Sequence, residues 1–432
     1  MKRVVAAAGA CAIGSAGLHA ANITGLTPQE QSKWWILSAS LSSFYDDNVN
    51  NSPSSIGSGT NRVDTKEGSL GFDFTPGVAV NLPGDQTLLS ASYDWELSYY
   101  TDRPQQKLDQ THRFNLGVHH KFSERYSLEV TDTFSKSDEP AIRQGESSTV
   151  FGRLDTSNIR NLAKIEYSAV LSPVIGLLAG YSHDLQDYDN ESYSRTLDRV
   201  ENAFHIDGRW FRSQQTMLFC GYRVGLADYT GPKLTAEVLT HTNGFETIVL
   251  ARPSIKNNVA HRLYVGVNQD LSSQLEVQGA VGVEYTDYYN FGESSSGPYA
   301  ASSATYTYRR DSTLTLGVNV GRYPTDSQLA NEESVTLDQL VYAVSFGINH
   351  RFSERISAHA QFNYQHAIFN GGDEDGLSDD YYTLNLGSEY KIREYLWATA
   401  GYTFNNLRSG RTAAELISFT KNIISFGIRA TY

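Results

Sequence analysis

The sequence predicts an all-β protein: a single transmembrane antiparallel up-and-down β-barrel of about 18 strands. Three observations predict it. Long stretches alternate apolar and polar residues with a period of two. Short and long breaks between those stretches take turns along the chain. No apolar run of about 18 residues follows the first twenty residues, so no membrane helix is expected. Composition agrees: 12% of the 432 residues are aromatic, led by 27 Tyr, there are only 2 Met, and mean hydropathy is -0.39. A soluble α/β enzyme would spend more of its apolar residues on Leu, Ile and Met.

The amino end reads as a secretory leader over residues 1–20. Lys2 and Arg3 supply the positive region, Val4 to Leu18 the apolar stretch, and Ala20 before Ala21 the cleavage site. A lipoprotein reading through Cys11 is weaker, because Ala8 stands where a large aliphatic residue is usual. Residues 21–33 form a short periplasmic segment, and residues 34–432 the barrel. That segment is too short for an N-terminal plug domain, so any plug would come from a loop. Loss of Cys11 with the leader leaves Cys220 alone, so no intramolecular disulfide is expected. Loss of Lys2 and Arg3 takes the formal net charge from -13 to about -15, which argues against nucleic acid as a partner, because phosphate binding needs a basic footprint.

The strands follow in order. At 69 to 82, Leu70, Phe72, Phe74, Val78, Val80 and Leu82 oppose Ser69, Gly71, Asp73, Thr75 and Asn81. At 111 to 122, Phe114, Leu116, Val118 and Phe122 oppose Arg113, Asn115, Gly117 and Lys121. At 337 to 352, Leu340, Tyr342, Val344, Phe346, Ile348 and Phe352 alternate with small or polar residues. Strands of a soluble sandwich average about half that length. The last, Ile424, Phe426, Ile428, Ala430 and Tyr432, ends on an aromatic, the form of signal that the barrel-assembly machinery reads.

Eight short turns are expected, at Pro83 to Gln86, Ser123 to Arg125, Ser172 and Pro173, Arg212 to Gln215, Ser272 to Gln274, Arg310 to Ser312, Ser353 to Arg355 and Arg393 to Tyr395. Nine longer loops are expected at about 47–68, 101–110, 138–159, 189–199, 230–254, 290–299, 327–336, 370–378 and 409–417. Seventeen connections give the even strand count, with both termini on the periplasmic side. Lys121-Phe-Ser-Glu-Arg125 and Arg351-Phe-Ser-Glu-Arg355 read as two copies of one good turn. Tyr93, Trp95, Tyr99, Tyr126, Tyr181, Trp210, Tyr222, Tyr285, Tyr390, Tyr402 and Phe404 are assigned to aromatic belts at the membrane interfaces.

A barrel of this size leaves an aqueous channel unless something fills it. The residues assigned to its lumen are Arg113, Lys121, Arg209, Arg223, Arg262, Arg429, Asp73, Glu96 and Glu284. Both signs occur, which fits a diffusion pore, a sugar path, or salt bridges that satisfy the interior. The acidic stretch Asp373, Glu374, Asp375, Asp379 and Asp380 reads as a solvated loop and not a Ca²⁺ site, since Gly371 occupies the first ligand position of an EF-hand alignment. No metal or cofactor is expected. The His residues are scattered and neither Gly-x-Ser-x-Gly nor His-Glu-x-x-His occurs, so no enzymatic activity is expected.

The segment Phe44-Tyr-Asp-Asp-Asn-Val-Asn50 resembles the Tyr-Asp-Asp-Asn signature near the start of the putative β-barrel porin 2 family. The resemblance implies an outer-membrane barrel with a porin-like function, and polysaccharide export as an alternative; it implies no catalytic residues. Asp46, Asp47 and Asn48 are the outer-rim candidates, either as a polar strand end or as a glycan or cation contact. The expected location is the cell outer membrane. Expected partners are outer-membrane lipids and lipopolysaccharide, the barrel-assembly machinery, and polysaccharide with its export partners. Three functions stand open: a channel for hydrophilic solutes, an exopolysaccharide conduit, or a non-conducting structural or adhesive barrel.

Overall fold

The computed structural model describes residues 33–56, 63–103, 106–138, 157–231, 238–241, 244–247, 253–325, 335–411 and 417–432. The expected leader lies outside them. Eighteen strands form one sheet: β1 (Trp35–Asp46), β2 (Ser69–Pro83), β3 (Thr87–Tyr100), β4 (Leu108–Lys121), β5 (Tyr126–Ser137), β6 (Asn158–Val170), β7 (Ile175–Tyr188), β8 (Arg199–Phe211), β9 (Thr216–Tyr229), β10 (Asn258–Asp270), β11 (Leu275–Tyr288), β12 (Glu293–Arg309), β13 (Ser312–Pro324), β14 (Asp338–Arg351), β15 (Ile356–Asn370), β16 (Ser378–Arg393), β17 (Leu396–Ser409) and β18 (Phe419–Thr431). Each pairs antiparallel with the next, and β18 returns to pair with β1. The barrel is closed.

Following hydrogen-bonded partners once around the ring returns to β1 displaced by about 22 residues. With that stagger and ordinary strand spacings, the strands tilt by about 40° and the backbone ring is roughly 35 Å across. The same stagger brings all eight short turns to one level and the longer connections to the other. Five of the short turns share one device: the hydroxyls of Ser123, Ser172, Ser213, Ser272 and Ser353 each accept the backbone N–H two residues on, at 3.1–3.3 Å. The two Phe-Ser-Glu-Arg segments are thus members of a set of five in which the serine, not the arginine, makes the turn.

Alternation follows from the register. Leu37, Leu41 and Tyr45 of β1 stand outside, exposed beside Val78, Phe74 and Leu70 of β2, while Phe44 and Asp46 are buried on the inner face. Phe352 and Tyr342, ten residues apart at β14, mark two aromatic levels about 25 Å apart at this tilt, the height of a bilayer's apolar band. Tyr126, Trp210 and Tyr390 stand near the short-turn level; Tyr99, Tyr285 and Phe404 stand near the loop level.

Two expectations change. Tyr93, Tyr181 and Tyr222 are not belt residues: each is the seventh residue of its strand, in mid-band, and Trp95 is also central. A phenol there needs a partner, and each hydroxyl reaches across to the next strand toward the loop end. The distances are 2.8 Å to His112 Nδ1, 2.7 Å to Asn202 Oδ1 and 2.6 Å to His261 Nδ1; Tyr402, close to the loop-level belt, makes the same contact with Asn422 Oδ1 at 2.9 Å. The loop expected at 290–299 shrinks to 289–292, because β12 begins at Glu293. Its outward face carries Ser294, Ser296, Pro298, Ala300 and Ser302, so the apolar alternation that reveals a strand is missing. Pro298, with no N–H to give, still stands opposite Val283.

Val281→Arg, at the seventh residue of β11, which is 60% exposed on the outer face, is expected to cost about 2–4 kcal/mol in a bilayer. Gln361→Arg, on the inner face of β15, is expected to cost far less. Reversible folding titrations into lipid vesicles measure the difference; equal costs would contradict the assignment of faces.

Candidate functional site

The inner face is the candidate site, and register decides which side chains meet there. Arg113, Lys121, Arg209, Arg223, Arg262, Arg429, Asp73, Glu96 and Glu284 all stand on that face. Arg113 and Glu96, on β4 and β3, form a 2.5 Å pair whose side chains remain 47% and 34% exposed, so it is open to the lumen. Asp73 accepts the Ser42 hydroxyl at 3.4 Å. Arg429 lies over the Trp397 ring at 4.6 Å and approaches Glu389 at 3.4 Å. Lys121 is the last residue of its strand, at the short-turn rim.

A denser charged wall runs along β6 to β11. Arg160 holds Asp184 through two hydrogen bonds, and Arg262 holds Glu284 at 2.9 Å while its guanidinium stacks 4.2 Å from the Tyr299 ring centre. Arg209 and Arg223 complete this wall on β8 and β9.

Glycines make two of its contacts possible. Glu166, Gly180 and His205 share one row across β6, β7 and β8; a Cβ on Gly180 would sit 2.2 Å from the His205 ring, so its absence lets the imidazole lie over β7 and reach Glu166 at 3.7 Å. Asp207, Gly221 and Tyr264 repeat the arrangement on β8, β9 and β10, where the Tyr264 hydroxyl donates to Asp207 at 2.5 Å. Sequence alone shows that these residues face inward. It does not show that they meet two strands apart, although a glycine at mid-strand on the inner face is the signal to look for.

The wall from β12 to β17 is different. At mid-height its inward residues are amides and hydroxyls, among them Ser303, Asn319, Gln361, Asn363, Thr383 and Asn385, and formal charge returns only with Glu389. Gln361 donates to Asn363 at 2.9 Å, and Asn363 to Thr383 at 2.9 Å. The lumen therefore has an ionic side and a neutral hydrogen-bonding side.

The rim residues have an internal task. Asp46 pairs with Lys421 at 3.0 Å; Asp47 pairs with Lys66 at 2.6 Å and accepts the backbone N–H and the side-chain amide of Asn422, each at 2.7 Å. Asn48 donates to the carbonyls of Ser52 and Thr420. The three residues pin the end of β1 to β18 and to the first loop, and their polar atoms are engaged within the chain. Burial works against ionisation of Asp47, but Lys66 and Asn422 outweigh it and hold this carboxyl below its ordinary range. The acidic stretch of the eighth loop also disperses: Asp379 turns inward to Arg411 at 2.8 Å, and Asp380 outward to His366 at 2.9 Å and Tyr364 at 2.8 Å. Among the described residues no cluster of three or more His, Cys, Asp or Glu forms a site for a metal ion.

Gly221→Val places side-chain atoms where Asp207 Oδ1 and the Tyr264 ring already stand, at 2.1 and 2.4 Å from a Cβ. Urea titration of the refolded barrel is expected to show a loss of about 1–3 kcal/mol. A second prediction concerns the short helix α1 (Glu191–Leu197), which leads into Asp198 at the loop end. Asp198 accepts the Tyr188 N–H and the Ser194 hydroxyl, yet burial, with Asp187 beside it, pushes its pKa up to about 6. A raised carboxyl pKa favours the folded loop at low pH, and that contribution is lost as pH rises from about 4 through 6. Proteolysis within 189–198 is expected to quicken across that window, and Asp198→Asn to remove the dependence.

No curated protein matches the chain. Solved structures that resemble it include the FrpB iron transporter from Neisseria meningitidis (F5-1 variant, apoprotein form), with 10% identity, 94% of this chain and 82% of that one covered, and a TM-score of 0.48. They include the outer membrane protein opdK from Pseudomonas aeruginosa, with 11% identity, coverage of 92% and 99%, and a TM-score of 0.43. The siderophore receptor PirA from Acinetobacter baumannii follows at 7% identity, coverage of 92% and 80%, and a TM-score of 0.42. None reaches a score of 0.5, and the barrel stands on its own register. The resemblance read at Phe44 to Asn50 lies at one end of the chain; the match to a family lies at the other, across the seam from it. Residues 339–432, which span β14 to β18, match the model of the family described as "Putative beta-barrel porin 2".

Proposed function

We propose that the protein is an outer-membrane channel, in a bacterium with two membranes, for the passage of small hydrophilic solutes. One observation carries the reading: the closed ring turns an apolar face outward, while charged groups, amides and hydroxyls line its inner face. Water and solutes that hydrogen-bond find partners along that inner face, and lipid finds none. In this reading the short turns face the periplasm and the long loops the outside, lipids and lipopolysaccharide surround the barrel, and β18 is the strand presented to the assembly machinery.

A second reading, an outer-membrane conduit for an exported polysaccharide, is favoured by the neutral wall of β12 to β17. Amides and hydroxyls suit sugar hydroxyls better than they suit ions.

Single-channel recording of the refolded protein in a planar bilayer, under a salt gradient, tests the first reading. Large stable steps are expected, and Arg113→Ala, which removes a lumen-exposed cation, is expected to move the reversal potential toward greater cation preference. Silence from protein shown to be folded would sink the channel. Block of the current by soluble oligosaccharide, with little effect from a charged solute of similar size, would favour the conduit.

A further inference from the structure

The outer face is not uniformly suited to lipid. At mid-band most strands present apolar side chains: Leu263, Val265 and Val267 on β10, Val344, Phe346 and Ile348 on β14, and Ile424, Phe426 and Ile428 on β18. The face of β5 to β8 departs from this. Asp132, Ala163, His183 and Asn202 form one hydrogen-bonded row across four neighbouring strands, all facing outward. Asp132 is the seventh of the twelve residues of β5, so its carboxylate stands in the middle of the band. Asn161 donates to it at 2.7 Å, and His183 Nδ1 lies 3.0 Å from Asn202 Oδ1. His112 and Lys136 stand opposite one another on β4 and β5, toward the loop end of the same patch.

His112 and Asn202 of the patch, like His261 outside it, are partners of mid-strand tyrosines; Asp132 and Asn161 are not. A carboxylate and two imidazoles held against hydrocarbon are costly, and that cost disappears when another polar surface covers them. Beside the row the outer face is also low: Ala163, Ala179 and Gly208 leave room for a close approach.

We propose that the outer face of β4 to β8 is an interface with a second copy of this chain. The patch sets a carboxylate acceptor, Asp132, on one side of β6 and an imidazole, His183, on the other, so it is complementary to itself. Both copies cross the membrane the same way up, which restricts a closed pair to a two-fold axis along the membrane normal. An axis at β6 brings β5 of each copy against β7 of the other, and Asp132 to the side that bears His183.

Disulfide trapping in native membranes tests this without measuring conduction. In a Cys220→Ser background, Ala163→Cys lies on the proposed axis, and Ala400→Cys lies on the outer face of β17 as the control. Heat-modifiable gel migration establishes that each variant is folded. Oxidation is expected to convert Ala163→Cys to a species of twice the chain's mass at several times the yield of Ala400→Cys, and adding Asp132→Leu is expected to reduce that yield several-fold. Equal yields at the two positions, a cross-link to a protein of another mass, or no effect of Asp132→Leu would each overturn the proposal.

Discussion

A backbone N–H or C=O left unpaired in hydrocarbon costs several kcal/mol, and a sheet in a bilayer can avoid that cost only by having no edge. The pairing of β1 with β18 removes the last edge, and the remaining features depend on it. Because the ring closes with a stagger of about 22 residues, the strands tilt, the short turns come level, and the aromatic residues fall into two belts. Asp46, Asp47 and Asn48 sit at this seam, and their ion pairs and amide contacts to Lys421, Asn422 and Thr420 reinforce the one junction that no hairpin supplies.

Where outward residues are large and apolar, the alternation in the sequence is enough to find the strand and its faces, as in β2, β4, β14 and β18. The strand count emerges from the same pattern. β12 is partly hidden because serine, alanine and proline occupy its outer face and leave a polar stretch that reads as loop. What alternation does not contain is register: it shows that Arg262 and Glu284 both face inward, but not that they stand side by side. It also gives no depth, so Tyr222 reads as a belt residue until the strand on either side of it has been bounded. The rim residues are visible as polar, while their partners lie hundreds of residues away and carry no local sign.

Beyond the backbone ladder, the barrel is tied by side chains that cross between strands, and the two faces solve the problem differently. Outside, a tyrosine leans diagonally toward the loop end and buries its hydroxyl against a histidine or asparagine on the next strand. Inside, a glycine withholds its side chain so that a histidine or tyrosine bridges two strand spacings and meets a carboxylate. The outer device keeps polar atoms out of lipid, and the inner one draws a carboxylate and its ring partner together against the wall. The result is a lumen whose charge is concentrated on β6 to β11, with the opposite wall left neutral.

The seam has a consequence for how the protein comes into being. Asp47 and Asn422, which meet there, are separated by 375 positions in the sequence. Every intermediate that contains β1 but has not yet acquired β18 carries two open edges, each a template for pairing with another chain. Closure therefore waits until nearly the whole polypeptide is available, because β1 finds its second neighbour only in the last strand. A chain cut short anywhere before β18 cannot make a smaller version of this barrel with the same seam; it is left with exposed edges that mark it as unfinished.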